Sequence, residues 1–283
     1  MIALSFSSLA SGCTDGIISI WNTTNGTLIK ELKGHTGWVI SLALISKDLL
    51  ASGSYNKEIF IWDLTKGEII RQLNGSTGDV KALVTLTENR LASISNDKIL
   101  IWDLNSGNIL KELIEKNDFP NTQMKFQCLV RYSDSYLISG NSNNGKITIW
   151  DINKGIVNKT IVVHSNSPVY SLAVLENDWI ASGSNDKTIK IWNINSNQTI
   201  KTLKGHEGGP TSLLALANNK LASCSTKHFL IFDTETCNTF SLLENEKYEV
   251  RLLVRLLSEN RFASSFEIEH SIIFWSLKKN TVK

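Results

Sequence analysis

One short motif returns seven times along this chain. Its returns predict an all-β fold: a seven-bladed β-propeller of four-stranded antiparallel blades, with incomplete first and last blades. An aromatic residue between an apolar and a short polar one recurs as Ile20-Trp21-Asn22, Ile61-Trp62-Asp63, Ile101-Trp102-Asp103 and Ile149-Trp150-Asp151. It continues as Ile191-Trp192-Asn193, Ile231-Phe232-Asp233 and Phe274-Trp275-Ser276. The aromatic positions stand 41, 40, 48, 42, 40 and 43 residues apart, the period of a four-stranded propeller blade. The units fill residues 1–283 as a single domain.

The second unit shows how each blade is made. Gly34-His35-Thr36-Gly37 turns into a first strand from Trp38 to Leu44, and Leu49 to Ser54 makes the second. Tyr55-Asn56-Lys57 is a tight polar turn, and Glu58 to Trp62 alternates as a third strand does. Thr65-Lys66-Gly67 then turns the chain into a fourth, Glu68 to Leu73. The three prolines (Pro120, Pro168, Pro210) stand just before first strands, where a missing N–H is tolerated.

The composition, 42% apolar and 20% charged, is that of a globular chain with a core. With 29 basic and 27 acidic residues the net charge is +2. That balance gives no electrostatic footprint for nucleic acid or an anionic membrane. No apolar run approaches the roughly 18 residues of a membrane helix. Cys13, Cys128, Cys224 and Cys237 form no metal or disulfide spacing and point to reduced thiols in the cytoplasm, or else the nucleus. The opening Met1 to Cys13 looks like a lipoprotein leader. It lacks a basic start, and its Leu9-Ala-Ser-Gly-Cys13 recurs as Leu50-Ala-Ser-Gly-Ser54.

These units resemble the WD-repeat family over essentially the whole chain. The resemblance implies a hydrogen-bonded tetrad in each blade: a His before the first strand, a Ser or Thr in the second, an Asp in the next turn and the Trp of the third. Only the fifth unit keeps every type, as His164, Ser182 or Ser184, Asp186 and Trp192. The second has His35, Ser52 or Ser54, and Trp62, with Asn56 for Asp. The sixth has His206, Ser223 and Ser225, with Thr226 for Asp and Phe232 for Trp. Units three, four and seven lack the His. A His–Ser–Asp set also has the types of a nucleophilic triad, but degraded copies around a ring mark a structural clamp.

The resemblance further implies peptide binding on the face bearing the turns after second strands. The residues would be those flanking the first-strand Val and the one before the tetrad Asp. Carried over by position, they are Trp38, Ile40 and Tyr55 in unit two, Asp79, Lys81 and Asn96 in unit three, and Lys125, Gln127 and Asn143 in unit four. Unit five gives Pro168, Tyr170 and Asn185, unit six Gly209, Thr211 and Ser225, unit seven Glu249 and Arg251, and unit one Thr14. Aromatics and Arg dominate binding hot spots. The long interval before Trp150 holds an excursion, Leu113 to Met124, on the same face. Trp179 aligns with Leu49 and is expected in the core.

Other chemistry finds little support. Gly140 to Lys146 matches most of a phosphate loop, but Ile147 follows where a Ser or Thr is required, and a strand follows in place of a helix. His270 with Glu267 and Glu269 has metal-ligating types in a strand turn, where neighbours point to different sides. No cofactor, metal or small-molecule substrate is expected. Met1 aligns with Leu42, and the chain stops eight residues after Trp275, so blades one and seven are expected to meet at a thin seam. Either the chain is a fragment or a partner completes the blade. The expected function is a non-catalytic scaffold or adaptor binding proteins or peptides. The alternatives are the substrate-receptor fragment of a ubiquitin ligase, and a propeller enzyme with a central-channel site.

Overall fold

A computed structural model describes residues 1–115, 126–225, 228–244, 250–255, 261–266 and 272–276. Their strands form six four-stranded antiparallel sheets and one three-stranded sheet, each paired in chain order. In the second blade these are Val39–Ser46, Leu49–Ser54, Ile59–Asp63 and Glu68–Leu73, within a residue or two of the sequence reading. The innermost strand of each sheet lies beside that of the next. Val250–Arg255 of the three-stranded sheet returns to Ile2–Ser5 of the first, so the sheets close a ring.

The core lies between blades. Ala51, Ile59 and Leu73 of the second blade pack on Val80, Leu91 and Trp102 of the third. The second-strand glycines allow this closeness. A Cβ on Gly12 would stand 2.5 Å from Val39 Cγ1, on Gly53 2.4 Å from Val80 Cγ1, and on Gly140 2.7 Å from Val169 Cγ1. The recurring Ser-Gly of the second strand therefore marks where the next blade's inner strand rests.

A second fastening runs around the rim, unread in the sequence. In blades one, two, three and five the outer strand carries a basic residue that donates to carbonyls in the next blade's outer turn. Lys30 Nζ reaches Leu64 O at 3.2 Å and Thr65 O at 2.9 Å, and Arg71 reaches Ser106 O at 3.0 Å. Lys111 reaches Ile152 O at 3.1 Å and also Asn153, and Lys201 reaches Thr234 O at 2.6 Å and also Glu235. The Asp or Asn after each Trp caps that turn: Asp63 Oδ1 accepts from Thr65 N at 2.9 Å and Lys66 N at 3.0 Å.

The first blade departs from expectation. Its inner strand is shortened, to 4 residues against 8 in the second, but it pairs with Ser8–Gly12 and the sheet has all four strands. Ala3 and Leu9 pack on Ala263 of the three-stranded sheet, with Met1 and Ile272 beside them. The seam there is apolar. The expected stub at Thr281 to Lys283 lies outside the described residues, as do His270 and its two glutamates. Of the excursion, Leu113 and Ile114 complete the outer strand Ile109–Ile114, while residues 116–125 are not described. Gly145 is a turn residue with φ of 68°, and Lys146 opens a strand, which removes the phosphate-loop reading.

Candidate functional site

Each clamp begins on the second strand, whose alternation buries two serines. In the fifth blade Ser182 and Ser184 are both fully buried, and the structure divides their work. Ser182 Oγ is 2.9 Å from His164 Nε2, and His164 Nδ1 is 2.8 Å from Asp186 Oδ2. Ser184 Oγ instead accepts the Asp186 backbone N–H at 3.3 Å and shapes the turn. Ser182 is the clamp residue. The fourth member fails to join: the buried Trp192 indole N–H has no hydrogen-bond partner among the described residues.

The second blade, short of its Asp, forms the better-connected chain. Trp62 Nε1 donates to Ser52 Oγ at 2.7 Å, Ser52 Oγ is 2.5 Å from His35 Nε2, and His35 Nδ1 is 3.1 Å from Glu58 Oε2. Glu58 thus takes the acid's role from two positions past Asn56, reaching back across the turn to Thr36 N as well. Asn56 ties the same turn to Thr36 Oγ1 at 3.1 Å. In the sixth blade Ser225 stands in for the acid: His206 Nδ1 is 2.9 Å from Ser225 Oγ and Nε2 is 2.6 Å from Ser223 Oγ. Blades three and four, without a His, keep the Trp–Ser bond, Trp102 to Ser93 and Trp150 to Ser139, both at 2.8 Å. The weak signal for Glu58 was an acid beside the degraded position.

These sets carry the types of a triad, but Ser52 and Ser182 are fully buried. No substrate carbonyl reaches either hydroxyl, so their chemistry is clamping. Burial pushes the pKa of His206 down from 6.5 to about 4, helped by the charge of nearby His228. The folded chain therefore takes up this proton less readily than the unfolded chain. Stability from this site is complete above pH 6.5, declines as pH falls toward about 4 and levels off below. His206→Gln is expected to flatten the fall of the thermal midpoint in that window. A profile parallel to the wild type's would refute it.

The upper face carries the turns after second strands. Backbone register there explains why the aligned residues face outward. Pairing shifts between Val39 and Ser41, Phe126 and Cys128, Val169 and Ser171, and Val250 and Leu252. The skipped residues are Ile40, Gln127, Tyr170 and Arg251. Each backbone sits on a bulge, and for Ile40, Gln127 and Tyr170 the bulge re-aims the side chain out of the ladder.

In the second blade the bulge yields an exposed apolar cluster. Trp38 is 55% exposed, Tyr55 53% and Ile40 39%. The Trp38 and Tyr55 rings lie 5.7 Å apart at 41°, held by the Tyr55 N–H on the Trp38 carbonyl at 2.9 Å. Val80 N donates to Ser54 O at 3.1 Å, which sets Asp79 and Lys81 beside Tyr55. Lys81 donates to Gln127 Oε1 at 3.0 Å across to the fourth blade. In the fifth blade Tyr170 Oη donates to Asn185 Oδ1 at 3.0 Å, a polar pair separate from the aromatic cluster. Asn96 is exposed with φ of 57°, its amide folded toward Thr77 O at 3.5 Å. Lys125 and Glu249 lie outside the described residues.

A family model, the WD domain G-beta repeat, matches residues 26–63 and 155–193. The matched stretches end one residue past the Trp of the second and fifth blades, the two blades whose His meets a carboxylate. These matches and the ring of sheets support a WD-repeat β-propeller. No curated protein matches the chain. WD repeats explain why clamps survive so unevenly. The fold needs packed blades at every position, but a buried polar chain helps only where each member is satisfied.

Proposed function

We propose that this WD-repeat ring is a non-catalytic scaffold that binds peptides or proteins on its upper face, around Trp38, Ile40 and Tyr55. The observation that carries the reading is the aromatic pair. Trp62, Trp102, Trp150 and Trp192 are buried between blades, whereas Trp38 stands more than half exposed with its ring turned to a second exposed aromatic. Aromatic side chains bring large contact area at low entropic cost and dominate hot spots. Lys81, Asp79 and Asn96 supply a mixed polar rim, as binding faces have. The three-stranded sheet serves as a seventh blade in this reading. The cysteines form no disulfide, which fits the reducing cytoplasm or nucleus.

Trp38→Ala with Tyr55→Ala tests the proposal. Both rings sit on the surface, so the thermal midpoint should stay within about 2 °C, since surface changes cost little. Capture of partners from the native cell should drop roughly tenfold or more. Return of the same partners in the same amounts would sink this face as the binding surface.

A further inference from the structure

Blade two differs from its neighbours at the residue that leads into the third strand. Glu58 stands there, where blades one, three, four, five and six have Ile17, Lys98, Lys146, Thr188 and His228. Backbone bonds fix the equivalence: Ser54 N donates to Glu58 O at 3.0 Å, Ser184 N to Thr188 O at 3.2 Å and Ser225 N to His228 O at 3.0 Å. The blade with this acid is also the blade with the exposed aromatic pair.

The position decides what the carboxylate can hold. In blade five the acid is Asp186, inside the turn. Its Oδ1 accepts from Thr188 N at 2.9 Å and Thr188 Oγ1 at 2.6 Å, while its Oδ2 meets His164 Nδ1. Among the described residues it makes no bond to Ser165, the residue after that His. Glu58 meets the corresponding nitrogen of His35 at 3.1 Å and turns its remaining capacity to Thr36. Oε2 accepts from Thr36 N and Oε1 from Thr36 Oγ1, both at 3.1 Å. Asn56 donates Nδ2 to the same hydroxyl at 3.1 Å and packs over Gly37, where a Cβ would stand 2.5 Å from Asn56 Cγ.

Thr36 and Gly37 lead into Trp38, and Asn56 follows Tyr55. The bonds to Thr36 therefore join the loop carrying one ring to the turn carrying the other. The Tyr55 N–H on the Trp38 carbonyl is a pivot between these segments, and the side-chain bonds stop the loop from turning about it. The Glu58 side chain is only 18% exposed, so water competes poorly for them.

We propose that Glu58 is a positioning residue of the upper face: through Thr36 it holds Trp38 against Tyr55 in the arrangement that meets a partner. The proposal rests on the reading that this pair is the binding surface. Side chains already set in place lose little freedom on binding, so the effect appears as affinity.

Asn56→Asp with Glu58→Thr tests it by installing blade five's residues at both places. The acid again reaches His35, as Asp186 reaches His164, so the clamp and the thermal midpoint are expected to survive. The carboxylate bonds to Thr36 are lost. Nuclear Overhauser contacts between the Trp38 and Tyr55 rings, whose centroids lie 5.7 Å apart, are expected to fade. Capture of partners from the native cell should weaken about tenfold. Thr36→Val serves if the double variant does not fold. It removes both hydroxyl bonds at an exposed position, leaves the His35–Glu58 pair in place and should also weaken the ring contacts. Ring contacts at full strength in the folded variants would overturn the proposal. Faded contacts with undiminished capture would uphold the role of Glu58 and sink the upper face as the binding surface, which separates the two failures.

Discussion

Ser52→Ala is expected to lower the stability of the ring by about 4 kcal/mol, although it removes a single oxygen. The Ser52 hydroxyl joins two buried groups, Trp62 Nε1 at 2.7 Å and His35 Nε2 at 2.5 Å. Each buried group left unpaired costs about 1–3 kcal/mol, and alanine offers neither a partner. The His35 ring adds to the loss because its other nitrogen is held by Glu58 and its face lies 4.4 Å from Phe60, so it cannot swing out to water. Ser182→Ala sharpens the test. Ser182 serves His164 and, at 3.4 Å, the Lys190 carbonyl, while the Trp192 N–H is already unpaired. His164 Nε2 loses the hydroxyl but keeps the backbone carbonyl of residue 182 at 3.2 Å, so the cost should be less than half. Urea unfolding of the two variants measures the difference. Equal costs would mean that the indole bonds contribute nothing.

Strand positions were legible because a sheet has a side-chain period of two and a blade a period near forty. Both periods survive when individual residues drift. The tetrad was legible only as residue types. Reading Asn56 as a lost acid missed Glu58, because a longer side chain two positions on reaches the same nitrogen. Reading the fifth unit as complete missed that Trp192 stays unpaired, which depends on tenths of an ångström. Alignment alone placed Ile40 and Tyr170 on the upper face, and the bulges supply the physical reason. The rim contacts of Lys30, Arg71, Lys111 and Lys201 were not visible, because they are relations between neighbouring blades, and a repeat read one unit at a time hides them. The shortened first strand was legible as a deficit, but its ability to complete the sheet with four residues was not.

Gly53→Ala is expected to cost about 3 kcal/mol, at the upper end of what overpacking one methyl into a filled site exacts. The conflict is steric, since a Cβ there would lie 2.4 Å from both Ser41 Oγ and Val80 Cγ1. Neither neighbour can retreat easily. Val80 N is bonded to Ser54 O at 3.1 Å, Ser41 Oγ to Val80 O at 2.6 Å, and a branched Val has few rotamers. Adding Val80→Ala removes the nearest carbon but leaves Val80 Cβ 2.8 Å from the new methyl. The double variant should therefore lose less than the sum of the single ones, a coupling readable in thermal midpoints. Strict additivity would refute the contact. The same substitution bears on binding. Tyr55 follows Gly53 by two residues, and Val80 lies between Asp79 and Lys81, so a blade pushed off its neighbour carries the aromatic cluster away from its polar rim. Capture on the upper face should weaken in Gly53→Ala even at temperatures where the chain stays folded. The packing glycine and the binding aromatics are then two readings of one junction between blades.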